Sequence, residues 1–441
     1  MKRPSLRFLA SRKFWQRSAF ALACLATLIA AAYAIENYRG EKAWAHYRAE
    51  AEARGEKLDF KDFIPPPIPD EENFAAIPIY RELLSRDPAV RARAGKACKL
   101  PAECISQSMQ SPTDRKTPDF AALRECFIKN SVLANATGDP VADVLRALEA
   151  YEPTLAQLRT AAARTRSRLD GEWEKGFDAA IWRMGDALSL SKLVSLRASA
   201  LLAKGRAHDA LIDWHVGHRH AGIFQGEPTL LACMLRAALV SISADTIHGG
   251  LPAHAWSEAE LKPISDDLAS IDLMADFTFG LSSERAMMNG VLDKMRANSS
   301  ARSAFGSGNS DKWLTLIPGG WIAQNQRHLN EWYDQEIAKT LAAQNHPASD
   351  IAPTSFEVPQ SWFRFPYWFV VRSAVFMLGD NFDRLPGRAD QRGPVPGGVR
   401  AGTLPSSQRR FPERTARTRS EHAAQTSARP LRRAGAALSP G

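Results

Sequence analysis

From Asp70 to about residue 344, apolar positions recur three and four residues apart, and no stretch alternates apolar with polar residues over a strand's length. This periodicity predicts an all-α body, with helices over 139–165, 168–204, 206–221, 228–248, 257–270, 273–297 and 320–344. Several helix ends are written in the chain. Pro228 stands in a first-turn position, and Gly249-Gly250 followed by Pro252 closes the same helix. Ser257 and Glu260 make a capping-box pattern ahead of Leu261. Ala198, Leu201, Gly205, Ala210, Leu211, Trp214 and Gly217 are spaced as in a tetratricopeptide-type helical hairpin, where Gly opens the turn and small residues let the helices approach. No period returns elsewhere, so the expected architecture is an irregular helical bundle or a TPR-like array of helical hairpins.

The pattern before Asp70 differs. Ala19 to Ile35 is uncharged, and with Ser18 it reaches the short end of what crosses a hydrocarbon core. Residues 1–17 contain six basic residues and no acid, so the positive-inside rule places them in the cytoplasm and everything after Ile35 outside it. Trp15 and Tyr33 mark the two edges. A second reading also stands: Ala32-Tyr33-Ala34 has the form of a signal-peptide cleavage site. Residues 36–54 continue a helical pattern to Gly55, which suits a left-handed position after the helix, with Leu58 available to pack back. At about 1.5 Å per residue, this predicts a stalk protruding roughly 28 Å. Ile64-Pro65-Pro66-Pro67-Ile68-Pro69 then runs as polyproline II, a spacer or a strip laid along the domain. The expected divisions are a basic segment 1–17, an anchor 18–35, a stalk and spacer 36–69, a helical domain 70–384 and a tail 385–441.

Charge sharpens these divisions. The chain of 441 residues carries a formal +9, which taken alone invites a nucleic-acid partner. Residues 385–441 hold eleven arginines against Asp390, Glu413 and Glu421. Removing this +8 and the +6 of residues 1–17 from the total leaves −5 for residues 18–384, so the body is mildly acidic and no nucleic-acid partner is expected. The tail lacks Ile, Met, Trp, Tyr, Asn, Lys and Cys, a composition expected to be disordered. It is also the composition produced by reading a GC-rich gene out of frame, which resequencing the 3′ end of the gene tests.

Candidate chemistry is sparse. His208, His215, His218 and His220 cluster on one predicted helix, but at 100° per residue His220 lies 160° from His218, so three imidazoles cannot meet on one ion. The expectation is a solvated or interhelical polar face. Cys98, Cys104 and Cys126 lie in a segment read as loop-rich, and one disulfide among them is expected with the pairing open. Cys233 reads as a buried helix residue, and Cys24 lies within the anchor. Glu284-Arg285 reads as an ion pair on a helix surface. The aromatic run from Trp362 to Val371 reads as core helix, with an interfacial patch as the alternative. No Walker A, G-x-S-x-G or dinucleotide pattern occurs, so no catalytic, cofactor-binding or metal residue is assigned, and no cofactor is expected.

Arg39 to Trp44, Ala53 to Asp59, Phe63 to Pro67, Pro69-Asp70 and Asn73-Phe74 resemble the juxtamembrane signature of a family of uncharacterised bacterial envelope proteins. Gly226 to Leu231, Trp256 to Leu261, and Gly320-Trp321 with Gln324 to Gln326 are similar to later blocks of it. The resemblance spans about residues 36–384. It implies topology and fold and lends no activity. The expectation is a single-pass inner-membrane protein, held in the bilayer through Ala19 to Ile35, with a periplasmic body serving as an interaction or assembly module for an envelope protein partner. The alternative is an exported hydrolase acting on an envelope substrate. The missing motifs favour the non-enzymatic reading.

Overall fold

The computed structural model describes residues 12–104, 118–169, 171–173, 175, 184–305, 314–343, 367, 368 and 370. The tail expectation, and most of the aromatic run, fall outside them. Among the described residues the chain is all-α, with one isolated parallel bridge between Asn73 and Arg166 and no strand.

Helix α1 (Arg12–Ala53) is continuous through the apolar run and the following segment. It ends as the sequence suggests: Gly55 has φ +83°, and Glu56 N–H donates to Ala51 O at 3.0 Å while Leu58 is buried. The body adds α2 (Pro78–Leu84), α3 (Pro88–Cys98), α4 (Phe120–Lys129), α5 (Pro140–Leu148), α6 (Glu152–Ala161), α7 (Met184–Ala203), α8 (Ala207–Ala221), α9 (Leu230–Gly250), α10 (Glu258–Ala269), α11 (Leu273–Ala297), α12 (Ser299–Phe305) and α13 (Gly319–Ala343).

The segment expected to protrude as a stalk instead packs on the body along α13. Asn37, Gly40, Trp44, Tyr47 and Ala51, three and four residues apart, form the seam. Asn37 Oδ1 accepts from Gly320 N–H at 2.8 Å, and Tyr47 donates to Asp334 at 2.6 Å, so the two helices run parallel. The closest approach is at Gly40, where an added Cβ would lie 2.1 Å from Gly320 O. The proline-rich segment is a strip laid along the domain: Arg168 Nε donates to Pro65 O at 3.0 Å, and the rings of Phe63 and Phe279 meet at 5.7 Å.

The expected helix over 139–165 breaks at Glu149–Tyr151, a 3-10 turn, because Pro153 cannot donate to residue 149 and its ring crowds that carbonyl. The expected helix over 168–204 begins only at Met184 among the described residues; residues 171–173 are not α-helical. Helices α3 and α4 reach into the segment read as loop-rich, and α2 precedes it. They are seven to eleven residues long, too short to show a period, and two are started by aspartate caps: Asp87 accepts from Ala89 N–H at 2.8 Å, and Asp119 from Ala122 N–H at 3.0 Å.

Helix α9 packs on α7, α8 and α11 and divides the core. On one side Phe74, Tyr80, Phe127, Leu155 and Leu190 gather from α2 to α7 and the segment before them. On the other, Leu281, Leu292, Ile322, Leu329 and Trp332 join α11 to α13. The α7–α8 hairpin is present as read: Gly205 has φ +68°, and Ala198, Leu201, Ala210 and Trp214 are buried with Trp256. The capping box forms, with Glu260 accepting from Ser257 N–H at 2.9 Å. Cys104 pairs with Cys126, leaving Cys98 and Cys233 free and buried.

Candidate functional site

The histidines of α8 separate rather than converge. His220 is fully buried; its Nε2 lies 3.0 Å from Ala187 O and its Nδ1 2.7 Å from the Tyr80 hydroxyl. A carbonyl only accepts, so Nε2 carries the proton and Nδ1 accepts from Tyr80. Burial pushes the His220 pKa down to about 4, leaving it a neutral link in the core. His215 and His218 are also pushed down, chiefly by burial, with Arg219 adding to both shifts. No group of three His, Cys, Asp or Glu side chains among the described residues is placed to hold a metal ion.

Glu284 and Arg285 are not the helix-surface ion pair read from the sequence. The expectation is corrected by burial: Arg285 is 3% exposed and turns inward to Glu56 at 2.7 Å and Asp334 at 2.6 Å. Glu284 accepts from Leu230 N–H at 3.4 Å at the start of α9. The Arg285 cluster ties α11 and α13 to the end of α1, because Tyr47 and Arg54 reach the same carboxylates. Burial raises the Asp334 pKa, against the bond from Tyr47. Glu227, 1% exposed, accepts from Leu169 N–H at 3.1 Å, and burial lifts its pKa to about 7. Of the aromatic run, Val370 is buried and its N–H donates to Asn325 at 3.0 Å, while Trp368 stacks on His328 at 4.0 Å. Those residues belong to the core.

A polar cleft of about 390 Å³ is lined by Arg164, Ser167, His218, Arg219, Arg236 and Asp267, among others. One wall follows from Asn73. Its buried side chain accepts from Ala75 N–H at 3.0 Å and Arg168 N–H at 2.9 Å and donates to Arg168 O at 2.9 Å, fixing residues 164–168 beside the proline strip. The other walls are the end of α8, the middle of α9 and the end of α10. Arg164 donates to Asn73 O at 3.0 Å, Arg166 pairs with Glu72 at 3.0 Å, and Arg236 pairs with Asp276. The buried atoms Arg219 Nε, Arg236 Nε and Ser167 Oγ make no hydrogen bond among the described residues. Arg164 and Arg219 outweigh the one lining carboxylate, Asp267, and with the unmet donors they make the cleft suit a carboxylate or phosphate. Spacing did not reveal this group, because its members come from four separated segments.

A second junction lies where α1 leaves its apolar run. Glu36 accepts from Trp321 Nε1 at 3.1 Å and from the Tyr367 hydroxyl at 2.9 Å, so the start of α13 is fastened immediately after Ile35. Tyr33 donates to Leu316 O one turn earlier.

No family model matches the chain, and no curated protein or solved structure matches it.

Proposed function

We propose that this chain is a single-pass membrane-anchored helical protein whose body lies on the periplasmic side of the inner membrane and acts as an interaction module, with the arginine-lined cleft receiving an acidic group of its envelope partner. One observation carries the anchor. Helix α1 holds an 18-residue window of mean hydropathy 2.1, none of it buried, whereas the other described helix of comparable character, α9, has a window of 1.6 that is 56% buried. A bare apolar helix of this length has its free energy minimum in lipid. Continuity of α1 into a packed body and the bond from Tyr33 to Leu316 favour retention of the segment over cleavage at Ala34.

The non-enzymatic reading draws on the cavities. Glu227 and Glu284, two carboxyls raised by burial, line neither the arginine cleft nor the groove between α1 and α13. Reporter fusions test the topology: alkaline phosphatase joined after residue 60 is expected to be active and green fluorescent protein dark, and the reverse pattern overturns the assignment. For the module, a photo-crosslinking residue at Gln225 in the cleft is expected to give an adduct that Arg219→Glu abolishes. No adduct, or one indifferent to the substitution, contradicts it.

A further inference from the structure

The depth of Tyr33 fixes the depth of part of the body. The apolar run from Ala19 to Ile35 has 17 residues and is about 26 Å long at 1.5 Å per residue, slightly short of a hydrocarbon core. All of it must therefore lie in the bilayer, and Tyr33, in its last turn, sits with its hydroxyl at the interface. That hydroxyl donates to the carbonyl of Leu316. The turn Leu314–Ile317 thus lies level with the membrane boundary rather than above it.

The turn is shaped for that position. Leu314 and Ile317 are each 6% exposed and point into the core, whereas Leu316 between them is 71% exposed. Among the described residues after Tyr38, no large apolar side chain is more exposed; Ile212, Leu251 and Leu341 stand at 42, 42 and 46%. The turn is held rigidly. Arg302, 7% exposed, donates to Ile317 O at 2.6 Å and to Met295 O at 2.7 Å, clamping it to the end of α11. An outward leucine on a braced turn beside an emerging membrane helix is an interfacial anchor in geometry and chemistry.

We infer that the Leu314–Ile317 turn is a second membrane contact of this chain, with Leu316 inserted into the leaflet that α1 leaves, so that the body rests on the bilayer in one orientation. The inference rests on the reading of α1 as a membrane span, and the test separates the two. The full chain is placed in nanodiscs of phosphatidylethanolamine and phosphatidylglycerol, and an environment-sensitive fluorophore is attached at one thiol at a time. The positions are native Cys24 within the span, Leu316→Cys, and Leu341→Cys near the far end of α13, about 33 Å from its start. The last two are made with Cys24→Ser; Cys98 and Cys233 are buried, and Cys104 and Cys126 are bonded to each other. Lipids carrying a nitroxide near the headgroup are expected to quench the probe at 316 at least twofold and leave that at 341 unchanged, while a deep nitroxide quenches Cys24. If Cys24 is quenched and 316 behaves like 341, the second contact is refuted and the anchor stands. If Cys24 is unquenched, both readings fall.

Discussion

Replacing Gly40 by alanine distinguishes a packed helix from a free stalk, because the two arrangements give opposite signs. On an exposed helix, Gly→Ala stabilises by about 1 kcal/mol through backbone entropy. At Gly40 the new Cβ would stand 2.1, 2.5 and 2.6 Å from the O, Cα and C of Gly320, all backbone atoms that no rotamer change can move. Restoring ordinary contact requires α1 and α13 to separate by about 1 Å, opening the Trp44–Tyr47–Ala51 seam beside Ala323. Overpacking of this kind costs about 1–3 kcal/mol. After the helix-propensity gain, the net loss is about 1 kcal/mol. Gly290 supplies the internal control: it is exposed on α11, with nothing within 4 Å of an added Cβ. Urea unfolding of the full chain in detergent, followed by tryptophan fluorescence, should place Gly40→Ala below the parent and Gly290→Ala above it, about 2 kcal/mol apart. Equal stabilisation of both variants would refute the packing of α1 on the body.

Three further outcomes are expected. Glu227 has a folded pKa of about 7 against an ordinary 4.5, so its contribution is complete at low pH and is lost as pH rises from 4.5 to 7. His220, depressed from 6.5 to about 4, contributes stability that is lost as pH falls across that interval. The two oppose each other, each worth about 3 kcal/mol. Glu227→Gln should therefore unmask the histidine: its stability, followed by urea unfolding at pH 4 to 7, rises with pH more steeply than the parent's, and a parallel pair of curves contradicts the assignment. Reducing the Cys104–Cys126 bond, which closes a loop of 22 residues, should cost roughly 3 kcal/mol, measured as a lowered urea midpoint with dithiothreitol that Cys104→Ser/Cys126→Ser reproduces without it. Arg285→Met leaves Glu56 and Asp334 with only the half-exposed Arg54 between them, so about 2–3 kcal/mol is lost and limited proteolysis between α1 and α2 is accelerated; unchanged cleavage argues against the cluster as the fastener.

Long helices with explicit ends were legible because cap, period and stop agreed, as at Ser257-Glu260 for α10 and over 273–297 for α11. The same logic identified Gly55 as a left-handed end and Gly205 as the turn of a helical hairpin, and both have positive φ. What escaped was tertiary. The α1 seam is built from Asn37, Gly40 and two aromatics, which reads as a polar stalk because close approach through glycine leaves no hydrophobic stripe. Arg285 looked like a surface partner of Glu284 since one-dimensional spacing cannot tell that its acids lie 229 residues earlier and 49 later. His220 was read with its neighbours as a solvated or interhelical polar face, and the interhelical alternative holds for it: Tyr80 and Ala187, from two other helices, satisfy it in the core, partners that spacing could not name. The arginine cleft draws its donors from segments far apart in the chain, with the Asn73 latch holding residues 164–168 as one wall.

In the proposed topology α1 crosses the membrane intact and carries the body to the opposite side from residues 1–17. Protease added to sealed spheroplasts expressing the chain, with one epitope at its N-terminus and another after residue 343, measures this directly. The C-terminal epitope is expected to be destroyed and the N-terminal one to persist on a small membrane-embedded fragment, becoming accessible only when the membrane is permeabilised. An N-terminal epitope already missing before protease, or a C-terminal epitope protected until lysis, would contradict it.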